Sequence, residues 1–147
     1  MSTAFTYYSR RHVTAALESA AAVGCAVTLV TPPNGATSAG PEVYFEMMQA
    51  GRTDVPQASA TAIVDCDGDA GTFMRALRCG WRTLRYSGDL ETHAKLEDMA
   101  HQLGGTVARA LPVAFDLRAA RDPAWFCRQT LSANDTMNDS DKERSER

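Results

Sequence analysis

The hydrophobic pattern of this chain alternates between two periods. From Ser9 to Val23 the apolar residues Val13, Ala16, Leu17, Ala20 and Val23 fall on one helical stripe, with Ser9 placed to cap its start and Gly24 its end. Cys25 to Thr31, CAVTLVT, is short, rich in β-branched residues and bounded by Gly24 and Pro32-Pro33, which predicts a buried strand. A loop rich in Gly, Ser and Asn then leads to Pro41, a residue suited to a first helical turn, and a second helix is expected from Pro41 to Ala50. After Gly51 a polar connector reaches a strand at Ala60 to Asp65, followed by a helix from Ala70 to Cys79 closed by Gly80. Phe73, Met74 and Leu77 of that helix are expected to face the sheet. The unit repeats: Trp81 to Tyr86 is strand-like, Ser87-Gly88 turns the chain, and Asp89 caps a helix running to about Leu103 with Leu90, Ala94, Met99, Ala100 and Leu103 on its stripe and Leu96 at the margin. Thr106 to Leu111 is a fourth strand, stopped by Pro112.

Strands that alternate with helices imply right-handed crossovers and a mainly parallel sheet. The expected fold is α/β: a small three-layer αβα sandwich with about four mainly parallel strands. A flavodoxin- or Rossmann-like order is favoured because it buries the most apolar strand inside. The alternative is four successive βα units of a half barrel, whose open edges would need a partner. Beyond Pro112 the pattern weakens, although Asp122-Pro123 is placed to start a short helix that docks through Trp125, Phe126 and Leu131. Residues 1–131 are therefore read as one domain. The segment 132–147, with one Met, no other large apolar residue and an excess of acids, is read as a disordered tail. Phe5, Tyr7 and Tyr8 lie in a leader with no helical pattern and are expected to cap the core.

Composition narrows the class. The 147 residues are 44% hydrophobic and 22% charged, which fits a globular chain of one-domain size. No apolar run is long enough to span a bilayer, since Ala15 to Val30 is interrupted by Glu18, Ser19 and Gly24. No secretory leader is evident, and Cys25, Cys66, Cys79 and Cys127 never pair as Cys-x-x-Cys, so buried thiols in a reducing cytoplasm are expected. A net charge of -3 offers no basic field for nucleic acid.

Candidate chemistry gathers at one edge. In open parallel sheets ligands bind beyond the carboxyl ends of the strands. That places Thr31, Asn34 and Ser38 after one strand, Asp65, Asp67 and Asp69 after the next, Ser87 and Asp89 after the third, and Asp116 past the fourth. Three carboxylates at alternate positions suit Mg²⁺, which takes a few carboxylates with water and substrate phosphate. The favoured reading of the same residues is a turn at Asp67-Gly68 and a helix cap at Asp69. The loop Asn34 to Gly40 lacks a Walker lysine but brings backbone amides to a helix start, where an anion is stabilised. Cys66 has two aspartate neighbours that suppress its thiolate, and His93 and His101 are too far apart along one helix to share a metal.

The stretch IVDCDGD resembles the first motif of haloacid-dehalogenase-type phosphotransferases, an apolar strand ending in Asp-x-Asp-Gly. The resemblance implies Asp65 as nucleophile and Asp67 as acid/base, with Ser87 and Lys95 in the positions of later motifs. It covers about six residues. More than sixty residues precede the motif, where the family begins near it, and no acidic metal pair follows downstream.

No complete catalytic set is present, and no cofactor is specified. The expectation is a non-enzymatic regulatory or protein-interaction module, as a homodimer or with a protein partner. The alternative is a small-molecule-binding or Mg²⁺-dependent enzyme with its site around Asp65, Asp67, Asp69, Asn34, Ser38 and Ser87.

Overall fold

The computed structural model describes residues 2–145, with side chains described through residue 137. Six short strands, β1 (Thr3–Thr6), β2 (Val27–Val30), β3 (Ala60–Asp65), β4 (Thr83–Arg85), β5 (Thr106–Ala108) and β6 (Ala114–Asp116), form one sheet in the order β5-β4-β3-β2-β1-β6. Every pairing is parallel. The helices are α1 (Arg10–Val23), α2 (Gly35–Ala39), α3 (Pro41–Asp54), α4 (Ala70–Cys79), α5 (Leu90–Gln102) and α6 (Pro123–Ser145). The chain is thus α/β, with a single parallel sheet flanked by helices, and its most apolar strand, β2, is interior and buried throughout. Among the described residues no helix is long and apolar enough to cross a membrane.

Local signals explain the elements. The Ser9 hydroxyl accepts from the His12 backbone N–H, and Gly24 closes α1 in the left-handed conformation at φ 81°. Asp69 and Asp89 cap α4 and α5 by accepting from the backbone N–H groups of Thr72 and Thr92. Two strands escape the sequence pattern. The leader aromatics belong to β1 and its exit: Phe5 pairs with Leu29, Tyr7 donates its backbone N–H to Val30, and both side chains are fully buried. They are core, not caps on it, because Phe5 and Tyr7 are two residues apart and so share the helix-covered face. The other missed strand, β6, lies beyond Pro112 and pairs with β1.

Strand order differs from the favoured flavodoxin-like one, in which the strand outside the first is the second in the chain. Here it is the last, β6. From β1 to β5 the strands are laid down successively, as in the half-barrel alternative. Four right-handed crossovers in one direction place α1, α3, α4 and α5 along one face. Those helices touch in that sequence, and α6 packs on α1.

This order forces curvature. The link from Ala108 to Ala114 spans at most about 22 Å when fully extended. In a flat sheet β5 and β6 would be five strand spacings apart, about 24 Å, and the link would also have to return along the strand direction. The sheet therefore curls, bringing its edge strands toward each other. Helices need 8–10 Å of lateral room where strands need about 4.8 Å, so the helical layer takes the outer side.

In-register neighbours share a face. Phe5, Leu29 and Ala62 are aligned and point to the helices, as do the aligned Val64 and Leu84, and all belong to the buried core. On the inner face, Thr6, Val30 and Ile63 form one row and Asp65 and Arg85 the next. Small or polar residues elsewhere on this face, such as Thr28, Thr83 and Ala108, leave room for the curl.

Several boundaries move. β5 ends at Ala108, short of the expected Leu111, because the chain leaves the sheet there for the link to β6, and β2 and β4 are each shorter than expected. α3 continues through Gly51 to Asp54, past the expected end at Ala50. α6 continues to Ser145, so the segment expected to be disordered is helical as far as that residue, and residues 146–147 lie outside the described part. Leu131 is buried and the Asn134 amide donates to Thr3 at 2.8 Å, which anchors the turn where the tail begins. A helix nucleated by such packing propagates at little further cost. On α5 only Leu96 and Ala100 are buried, while Leu90 and Leu103 of the expected stripe are exposed.

Candidate functional site

The carboxyl ends of β2, β3 and β4 build a polar rim around Asp65. Asp65 is 2% exposed, although it is a carboxylate. β3 delivers it to the inner face, where its backbone N–H donates to the buried Thr31 hydroxyl at 2.9 Å. Its Oδ1 accepts from Arg85 Nη1 at 2.9 Å and from the Asp67 backbone N–H at 3.0 Å. Arg85 is held from a second side, since its Nε donates to the Arg109 carbonyl at 3.0 Å. The pair is aligned by sheet register, with Asp65 opposite Arg85 on adjacent strands. Fixed geometry and additional hydrogen bonds are what a buried ion pair needs to offset its desolvation.

Asp67 completes the rim. Its φ of 52° puts it in the left-handed region, where a non-glycine residue is uncommon. Its carbonyl accepts from the Ser87 backbone N–H at 2.7 Å, tying the turn after β3 to the turn after β4. Gly68 and Gly88 meet at this point: a Cβ on Gly68 would lie 3.7 Å from the Gly88 Cα. The Asp67 carboxylate is 4.0 Å from Arg85 and accepts a long bond, 3.4 Å, from the Thr37 hydroxyl of α2. Burial first, and then the Asp65 charge, push its carboxyl above the usual range, against the lowering pull of Thr37, Arg85 and the Asn34 backbone.

The acidic cluster is accordingly divided. Asp65 is neutralised by Arg85, Asp67 faces Thr37 and the Asn34 backbone, and Asp69 turns away to cap α4. Among the described residues no group of three His, Cys, Asp or Glu side chains is placed to hold a metal ion. The donor set does not fit Mg²⁺, and the nucleophile role that the phosphotransferase resemblance implies for Asp65 falls on a carboxylate already engaged by a guanidinium. Lys95 pairs with Glu91 on its own helix. Of the other candidates, Asn34 adopts φ 60° at the start of α2 and Ser87 joins the rim through its backbone, while Ser38 is exposed on α2.

Cys66 points to the opposite face, into the helix-covered core, and burial followed by Asp65, Asp67 and Asp69 pushes its thiol up to about 12. It is no nucleophile at neutral pH. His93 departs from a solvated histidine: its ring lies 6.2 Å from that of Tyr86, Nδ1 is 3.5 Å from the Glu97 carboxylate, and Nε2 is shielded without a partner among the described residues.

Sequence reasoning missed Arg85, Tyr8 and Arg118. The Tyr8 hydroxyl donates to Asp116 at 3.1 Å, the Arg118 guanidinium lies 4.5 Å over the Tyr8 ring, and Asp116 also accepts from the Arg118 backbone N–H. Tyr8 follows β1 and Asp116 ends β6, so these side chains occupy the carboxyl ends of the two strands missed by pattern. Arg85 carries a signal in retrospect, as a cation near the end of the expected strand Trp81 to Tyr86, at alternate spacing from Thr83 and so on the same face as it. No protein-family model matches the chain, and no curated protein matches it at a significant level.

Proposed function

We propose that the chain is a ligand-binding α/β domain that takes a small polar metabolite at the rim, hydrogen-bonded to Asp67 and Arg85. One observation carries this reading. Asp67 tolerates its left-handed conformation as few residues other than glycine do, but it stands beside a second carboxylate and its own ionisation is opposed by burial. The turn needs no carboxylate there, because its links to Asp65 and Ser87 use the Asp67 backbone. Asn or Gly would make the turn with less strain. Such choices cluster where a side chain is kept for binding.

Asp67→Asn is therefore expected to stabilise the protein while abolishing binding. Since the folded state raises the Asp67 carboxyl, it favours the protonated form. The stability this gives is present at low pH and lost as pH rises from the ordinary carboxylate range, about 4, through the folded-state value. Asn does not titrate, so the variant should gain on the parent across that window, by about 0.5 kcal/mol at neutral pH. Urea unfolding at pH 4 and pH 7 measures the difference. Thermal melts with sugars, sugar phosphates and amino acids test the ligand: at least one should raise the parent Tm and leave the variant unmoved. A panel that shifts neither protein, or both equally, sinks the binding reading.

A second reading, a protein-interaction module, has its own support at the β6 edge. Val113 is 99% exposed and Trp125 largely so, Phe115 is about half exposed with its ring against Phe5 and Phe126, and β6 has no strand on its outer side. A homodimer through this edge should appear as a doubled mass in analytical ultracentrifugation, reverting to the monomer mass in Phe115→Lys; a monomer at all concentrations would remove the self-association form of the idea. We read the free thiols of Cys25, Cys66, Cys79 and Cys127 as those of a cytoplasmic protein, and the net charge of -3 as unsuited to nucleic acid.

A further inference from the structure

We propose that the opposite end of the sheet carries a second binding site, selective for a small anion with an aromatic or apolar body. A cavity of about 250 Å³ opens between α3 and the start of β3 and β4, remote from the rim because it lies where these strands begin. One wall is apolar. Phe45 and Met48 line it from α3 and Trp81 from the turn before β4. Trp81 is fixed in orientation, since its indole N–H donates to the Pro41 carbonyl at 3.0 Å and its ring meets Phe45 edge-on at 5.8 Å.

The other wall is cationic. The exposed Arg52 of α3 and Arg82, the residue before β4, both line the cavity. Arg52 spends Nη2 on the Ala60 carbonyl at 3.3 Å, and Arg82 spends Nη1 on the carbonyls of Leu77 and Trp81 at 3.0 and 2.8 Å. These bonds position the guanidiniums without neutralising them. Carboxylates stand within ion-pair distance of Arg10, Arg75 and Arg85, but among the described residues none does so for Arg52 or Arg82. Two guanidiniums with donors to spare recognise a carboxylate or a phosphate. Trp81 and Met48 are almost fully buried, so the apolar contact open to a ligand is mainly the half-buried Phe45, whose ring is held edge-on against Trp81. The volume falls below the usual range of about 300–1,000 Å³ for ligand pockets, so the ligand is no larger than one substituted ring. This site shares no lining residue with the rim and stands independently of the rim's function.

Trp81 provides the readout. In a Trp125→Phe background it is the single tryptophan, and its emission is to be titrated with benzoate, phenyl phosphate and inorganic phosphate. Expected is a saturable change with benzoate, phenyl phosphate or both, weakened by salt as charge recognition requires. Inorganic phosphate should bind at least tenfold more weakly. Arg52→Met should weaken binding at least tenfold, while Asp67→Asn at the rim leaves it unchanged. Arg82→Met also removes a bond to the end of α4, so Arg52→Met with an unaltered near-ultraviolet circular dichroism spectrum is the deciding variant. No saturable change, or equal binding in Arg52→Met, overturns the site. Equal binding of phosphate and phenyl phosphate overturns its selectivity for an apolar body.

Discussion

Replacing Arg85 by Met is expected to destabilise the protein by about 3 kcal/mol, the lower end of the cost of breaking a buried ion pair by removing one partner. The lower end applies because the Arg85 side chain is 23% exposed whereas the Asp65 side chain is 3% exposed, so solvent already screens part of the cation's contribution. The loss comes from the carboxylate left behind. Asp65 would keep its bond from the Asp67 backbone but lose its only charged partner, since no other cation lies within ion-pair distance of it among the described residues. A second substitution separates this from lost packing. Asp65→Asn in the Arg85→Met background removes the stranded charge and should restore more than half of the lost stability. Equilibrium urea denaturation of the four proteins gives the coupling energy directly. Additive effects would show that Arg85 acts through its aliphatic stem, and the charge-pair account of the rim would fail.

The pair also shows what the sequence reveals and what it conceals. Asp65 was identifiable because it ends an apolar strand and begins a turn, both local signals. Its partner is twenty residues away, on a strand whose register against β3 decides whether the two side chains share a face. Register is a tertiary property, and a slip of one residue would send Arg85 into the helical layer. For the same reason β3 and α4 match their expected limits, being set by Asp65, Asp69 and Gly80, whereas β1 and β6 went unseen. A four-residue strand such as TAFT carries too few positions for its alternation to stand out. Strand order was concealed more deeply. Consecutive βα units read alike whether the sheet winds both ways or one way, and only the short link between β5 and β6 ties the two edges together. That link, RALPV, reads locally as the end of the fourth strand stopped by a proline, and nothing in it points to a connection between the two edges.

Gly51 is the clearest case of a local rule overridden, and it supports the second large effect. As a glycine after Ala50 it signals a helix end, yet it is buried inside α3 and the helix runs on to Asp54. On propensity alone Gly51→Ala should gain up to about 1 kcal/mol. Packing reverses the sign. A Cβ at Gly51 would overlap Val13 Cγ1 and lie 3.2 Å from Leu17 Cδ1, where α3 crosses α1. Val13 and Leu17 are both fully buried, and a β-branched residue in a helix has essentially one rotamer, so Val13 cannot turn aside. Overpacking of this kind costs about 1–3 kcal/mol, and a net destabilisation of about 2 kcal/mol is expected for Gly51→Ala. The obstruction is one methyl group, so Val13→Ala should relieve it. In that background Gly51→Ala should become neutral or stabilising, because the helix-propensity gain is then unopposed. Thermal denaturation of the four combinations tests the account. If Gly51→Ala destabilises equally with Val13 present and absent, the glycine is required by the backbone of α3 and not by the approach of α1.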